Sequence, residues 1–160
     1  MQAVTDEVKL MLDPNADPYA APASDAAPST FGAADVADLN WVQLMNAYSC
    51  TECGRCTAEC PASQTGKKLS PRKIMMDTRD RLTEVGTALN KGEQPNANTL
   101  LDNYISREEL WACTSCNACV EACPIAIDPL SIITDMRRDL VMEQSAAPTE
   151  LNNMMSNVEN

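Results

Sequence analysis

The chain has 160 residues, 23 of them acidic against 12 basic, for a formal charge of −11 and a pI of about 4.3. That balance excludes nucleic acid and anionic membrane surfaces as main partners. The absence of histidine removes imidazole metal ligands, imidazole acid–base catalysis and Ser–His or Cys–His nucleophiles.

Residues 1–36 read as an acidic, Ala- and Pro-rich linker or tail, disordered because it cannot bury enough surface to offset its ordering entropy. A short helix at 7–12 would be marginal on its own. The opening residues lack the basic start and apolar run of a secretion signal. No apolar stretch approaches the roughly 18 residues of a membrane span. A reducing, cytoplasmic setting is therefore expected. From Val36 the pattern turns helical. Leu39, Val42, Leu44, Met45 and Tyr48 recur at helical spacing, with Asn40 placed as an N-cap.

Ser70-Pro71 opens a second helix, with Ile74, Met75, Thr78 and Leu82 on one face and Arg72, Lys73, Arg79 and Arg81 on the rest. Residues 86–98 read as a loop. Ser106 and Glu109 form a capping box that starts a helix through Leu110 and Trp111. Asp128-Pro129 opens another, with Leu130, Ile133, Met136 and Leu140 on its apolar stripe. Thr149 starts a last helix carrying Leu151, Met154, Met155 and Val158. Strand signals are few, so the expected class is mostly α.

The chain repeats itself. The run from Tyr48 to Pro61 matches that from Trp111 to Pro124 at an offset of 63, and the helices that follow match at an offset of 58. Each half is helix, four-cysteine loop, proline, helix, which predicts a pseudo-two-fold domain of residues 37–145 with two equivalent central sites. Charge is uneven along it: −6 over residues 1–49, +3 over 50–91 and −8 over 92–160.

Both loops read C-x2-C-x2-C-x3-C-P: Cys50, Cys53, Cys56, Cys60 with Pro61, and Cys113, Cys116, Cys119, Cys123 with Pro124. That run is the bacterial iron–sulfur signature, whose fourth cysteine ligates the other cluster in two-cluster proteins. Three cysteines two residues apart wrap three corners of a cubane, and the x3-C-P turn carries the fourth away. Cluster one is then expected on Cys50, Cys53, Cys56 and Cys123, and cluster two on Cys113, Cys116, Cys119 and Cys60. Cys56 and Cys60 would serve different clusters across a segment spanning at most about 14 Å extended and roughly 6 Å helical, so the clusters lie within tunnelling reach. With every ligand a cysteine, no iron is left open to substrate. The expected function is electron transfer through two [4Fe–4S] clusters, with no catalytic residue in the chain. The alternative is a structural zinc-binding interaction module, although all-cysteine zinc sites usually split into two separated C-x2-C knuckles.

Other features have plainer readings. Tyr48 and Trp111 each precede a loop by two residues and serve as cluster shields or core packing. The basic run Lys67, Lys68, Arg72, Lys73, Arg79 and Arg81 is a solvated face or a dock for an acidic partner. The nine methionines fill the core. Glu52, Glu59 and Glu121 solvate the loops.

The 52 residues between Cys60 and Cys113 exceed what a small hairpin ferredoxin holds. With the phrase REELWACTSCNACVEACPIAID, they resemble the α-helical ferredoxin domain of heterodisulfide reductase-type iron–sulfur proteins, a group that includes the anaerobic glycerol-3-phosphate dehydrogenase and lactate-utilisation proteins. The resemblance covers residues 36–160 and matches all eight cysteines and both prolines. It implies a larger oxidoreductase. Expected partners are a redox protein or domain on the flavin, quinone or haem side, and a CCG-type catalytic domain. The helix in 146–160 would lead toward that domain, and the parent protein would hold the chain at the cytoplasmic face of the inner membrane. The chain is read as a fragment or a small subunit of such an assembly.

Overall fold

The computed structural model describes Leu12 and residues 31–159. The helix expected at 7–12 otherwise lies outside the described residues. Helices begin where the capping residues stand. Helix α1 (Trp41–Ser49) follows Asn40, whose side chain accepts from the Gln43 N–H at 3.0 Å while Gln43 Oε1 accepts from the Asn40 N–H at 2.9 Å. Two single turns, α2 (Arg55–Ala58) and α3 (Pro61–Gln64), follow in the first cysteine loop. Helix α4 (Pro71–Asn90) has proline at its first position and the Ser70 hydroxyl accepting from the Lys73 N–H at 3.3 Å. Helix α5 (Arg107–Ala112) starts on the Ser106–Glu109 box, and α6 (Ala118–Glu121) is the single turn of the second loop. Helix α7 (Pro129–Arg138) is capped by Asp128, which accepts from the Ser131 N–H at 3.1 Å, and runs on into a wider turn over Asp139–Glu143. Helix α8 (Thr149–Glu159) ends the described chain. Among the described residues, strand pairing is limited to one isolated bridge, Leu101 to Ile105.

The packing repeats as the sequence does. Helix α1 lies on α4 as α5 lies on α7, and α2 on α4 as α6 on α7. The equivalent pairs α2–α6 and α4–α7 then meet across the middle. The core between them is aliphatic and thioether: Leu69, Ile74, Met75, Leu100, Ile105, Leu110, Ile132, Ile133, Met136 and Leu140 are all fully buried, with no aromatic ring among them. The α7 stripe falls as its spacing predicts.

Four details depart from the periodicity. Helix α4 runs on through Gly86 to Asn90, so only the end of the expected 86–98 loop is loop. Arg81, assigned to the solvated face, is 2% exposed and pairs with Asp35 at 2.8 Å and Glu84 at 3.0 Å. Helix α1 is turned so that Gln43 and Ala47 are buried while Val42, Met45 and Tyr48 stay exposed. Gln43 is held inward by a 2.6 Å bond to Asp135.

The fourth departure concerns the linker, whose last residues, Phe31 to Val36, pack on the domain. Ala33 and Val36 are buried, and the Ala33 N–H donates to the Asp135 carbonyl at 3.1 Å. Gly32 permits this, because a Cβ there would stand 2.3 Å from the Asp135 carbonyl oxygen and 2.4 Å from the Asp139 nitrogen. Composition cannot reveal that a glycine, an alanine and a valine fit against the folded domain in this way.

Candidate metal centre

Each cysteine loop is shaped by two left-handed residues at matching places. Glu52 (φ 58°) and Ser115 (φ 55°) stand between the first and second cysteines, and Gly54 (φ 80°) and Asn117 (φ 66°) follow the second. Left-handed backbone is strained for residues with a side chain, yet both loops keep it, because it curls the chain so that successive thiols face one way. Backbone donors follow them in. The Ser115 N–H meets Cys113 Sγ and the Ile127 N–H meets Cys123 Sγ, each at 3.4 Å.

All eight cysteines are free thiols. Cys50, Cys53, Cys56 and Cys123 line one cavity, whose wall includes the apolar Met75, Ile125 and Ile127 and the charged Glu52 and Arg72. Three come from the first loop and the fourth from the second. Cys119 touches the same cavity and also lies close to Cys113 and Cys60, whose charges act on it. Burial pushes the Cys119 thiol up to about 12, with Cys113, Cys60 and Asp128 adding to the rise. Burial raises Cys56 too, against the bonds from Thr57. Cys116 is lowered instead, chiefly by the Ala118 N–H. Exposure follows the repeat at the second cysteine of each loop, where Cys53 and Cys116 are both open to solvent, but not elsewhere: Cys60 and Cys119 are buried while their equivalents Cys123 and Cys56 are only partly so.

Among the described residues, no three Cys, Asp or Glu side chains are grouped to hold a metal ion. Four thiols spread around a cavity instead suit a cluster several ångströms across, with a sulfur at each corner. The second loop adds a further sign. The buried Asn117 Oδ1 lacks a hydrogen-bond partner. Its amide, turned about, would present an N–H to a bound anionic group.

The charged residues around the loops are mostly engaged. Lys68 pairs with Glu108 at 2.7 Å, Lys73 with Asp77 at 2.6 Å and Glu109 at 3.1 Å, and Arg79 with Glu52. Of the basic run, Lys67 and Arg72 are exposed and have no such pair among the described residues, which leaves little of a basic docking face. Tyr48 is exposed and bonds Thr83 at 3.1 Å, so it packs outside the loop rather than over it. Trp111 is half-buried against the core and lies under the guanidinium of Arg137, 5.1 Å from the ring centroid. Arg137 is a site residue that motif and composition pass over. It donates to the Leu110 carbonyl at 3.1 Å, to the Cys113 carbonyl and to Ser115 Oγ at 3.2 Å. Burial lowers its pKa, opposed by the charge of Cys113. Its position 58 residues after Arg79, in the repeated helix, is the one signal of it in the sequence.

Comparison with known proteins agrees with the donor set. Residues 49–127 match the family described as a 4Fe–4S dicluster domain. The chain is 32% identical to a probable iron–sulfur-binding oxidoreductase, FadF, of Bacillus subtilis over 85% of the chain and 24% of that protein. It is 32% identical to the EtfAB:quinone oxidoreductase of Syntrophomonas wolfei over 81% of the chain and 21% of that protein. It is also 32% identical to one polypeptide of the ferredoxin/F(420)H(2)-dependent CoB–CoM heterodisulfide reductase of Methanosarcina acetivorans, over 65% of the chain and 52% of that polypeptide. The chain thus spans about a quarter of the first two relatives and half of the third. No solved structure matches it significantly. The structural-zinc alternative finds no support in these relatives.

Proposed function

Residues 49–127 belong to the 4Fe–4S dicluster domain family and transfer electrons through two [4Fe–4S] clusters, and on that premise we propose that the two loops exchange their fourth ligands within a larger oxidoreductase. Cys50, Cys53, Cys56 and Cys123 hold one cluster; Cys113, Cys116, Cys119 and Cys60 hold the other. The observation that carries this is the cavity in which three thiols of the first loop meet Cys123, the last thiol of the second, with Cys119 at its edge. The proximity of Cys60 and Cys113 to Cys119 supports the second set. Bound there, each cluster supplies a one-electron carrier. The chain's own part is to fix eight thiols, exclude water with Met75, Ile125 and Ile127, and keep the sites adjacent.

The parent activity follows the relatives: electrons pass between a flavin- or quinone-linked partner and a catalytic domain. The described domain, with the strap from Phe31 that packs onto it, is the electron-transfer unit, and α8 leads toward the catalytic part. Met154 and Val158 on α8 are exposed and suited to such a contact. Among the described residues, no helix is long and apolar enough to cross a membrane. A place at the cytoplasmic face of the inner membrane would therefore come through the parent assembly.

The test is iron, acid-labile sulfide and zinc per chain after anaerobic purification, with EPR of the dithionite-reduced protein. About eight irons and eight sulfides are expected, with spin coupling between close clusters. Cys60→Ser should perturb the same EPR component as Cys116→Ser, and Cys123→Ser the same component as Cys53→Ser. Cys60→Ser behaving like Cys53→Ser would overturn the exchange.

A further inference from the structure

The two loops are alike in backbone and unlike in charge. In the first, Arg79 reaches from α4 to Glu52, the left-handed residue between the first two cysteines, and forms an ion pair with it. In the second, Arg137 reaches from α7 to Ser115, the matching residue, and meets a hydroxyl at 3.2 Å. Its other direct contacts are neutral: the carbonyls of Leu110 and Cys113 and the face of Trp111. Among the described residues, no carboxylate pairs with Arg137. A half-buried guanidinium therefore stands over the first cysteine of the second loop with its full charge uncompensated.

We propose that Arg137 is the counter-charge of the cluster held by the second loop, and that the Glu52-to-Ser115 difference sets the two clusters at different potentials. This rests on the cluster assignment above. One-electron reduction adds one negative charge to a cluster and needs no proton. A fixed positive charge beside it favours the reduced form and raises its potential, because cluster potentials follow net charge, burial and hydrogen bonding. An ion pair such as Arg79–Glu52 is a dipole whose field falls off faster, so it does this weakly. Other charges lie near the loops: Arg55 and Glu59 in the first and Glu121 in the second are exposed and screened by solvent, and Asp128 and Arg72 stand closer. Asp128, whose charge reaches Cys119, caps α7 and is offset by that helix's N-terminus. Arg72 reaches the wall of the first cavity, but it is exposed, so solvent screens its charge more than that of the half-buried Arg137.

The variants follow from the repeat. Ser115→Glu installs the first loop's pair in the second. Glu52 already holds the same left-handed conformation, φ 58° against 55°, so the loop geometry admits it. It also leaves the bonds of Arg137 to both carbonyls intact. Arg137→Gln removes the charge, and Arg137→Lys keeps it. Glu52→Ser releases Arg79 in the first loop.

The experiment is an anaerobic EPR-monitored redox titration of each iron-loaded chain, read only after its iron and sulfide are counted. Ser115→Glu and Arg137→Gln should lower the same one of the two waves, on the order of tenfold in its redox equilibrium or about 59 mV. Arg137→Lys should leave that wave near the wild-type position, and Glu52→Ser should raise the other. Should Arg137→Gln not retain iron, Ser115→Glu decides alone. Fully loaded Ser115→Glu titrating as wild type overturns the proposal, as does Arg137→Lys falling with Arg137→Gln, which would mark a structural role. A wild-type chain short of eight irons would instead overturn the cluster reading itself.

Discussion

Asp35 and Arg81 show how far one ion pair can reach. Arg81 projects inward from the middle of α4, and Asp35 meets it from the segment before α1 while also accepting from the Leu100 N–H at 3.1 Å. Burial would raise the Asp35 carboxyl, but Arg81 and the N–H groups of Val36 and Leu100 outweigh it and hold the carboxyl below its usual value. Asp35→Asn should cost about 3 kcal/mol at neutral pH, because it leaves a buried guanidinium short of its main counter-charge. The sign in acid follows from the lowered value. The pair's stabilisation is fully present above the unfolded carboxyl's pKa of about 3.9 and is lost as pH falls through the lower folded one. Denaturation of wild type and variant should therefore show a constant gap from pH 7 to 5 that closes only below about pH 4. A gap already closing at pH 6 would mean another group controls it. In the sequence Arg81 reads as solvated because arginine rarely lies buried without partners, and its partners come from residues 35, 84, 96 and 98, which no local window joins.

At the scale of elements, capping chemistry marks the starts of α1, α4, α5 and α7, since a cap is a contact between residues three apart. Asp128→Ala should lower stability by about 1 kcal/mol in thermal unfolding of the iron-loaded chain. It should also shift the second loop, which ends where α7 begins. Helix faces are less legible. Helix α1 carries an apolar stripe, yet Trp41 is 71% exposed while Gln43 is 3% exposed, since Asp135 offers Gln43 a partner inside. The strap before α1 depends on one missing Cβ. Gly32→Ala should cost more than about 1 kcal/mol, combining φ +97° with contact against rigid backbone of the α7 end. It should also speed hydrogen exchange at the Ala33 N–H. Unchanged protection there would show that the strap holds by Val36 and Asp35 alone.

In the whole molecule, the proposed exchange of ligands would tie one half to the other across an aliphatic core, with no ring among the fully buried side chains of the described residues. Chelation or oxidative loss of iron should therefore unfold both halves in one transition rather than two, because each loop loses its own cluster and its tie to the other. Circular dichroism followed during iron release checks this; a half that stays helical would show that it carries a core of its own. The duplication also explains why equivalent residues acquire different duties. Two loops of one shape face each other, and single differences between them, such as Glu52 against Ser115, become differences between the two sites.

The sequence by itself determined the cofactor class, the repeat and most helix starts, because each is written in spacings of two to four residues or in one long self-match. Only the tertiary structure decided that Arg81 is buried, that Arg137 meets no carboxylate among the described residues, that α1 leaves Val42, Met45 and Tyr48 outward, and that the strap from Phe31 to Val36 belongs to the domain. Each of these depends on which distant group supplies or withholds a counter-charge, a hydrogen bond or room for a side chain. Those quantities exist only once the two halves have been folded against each other.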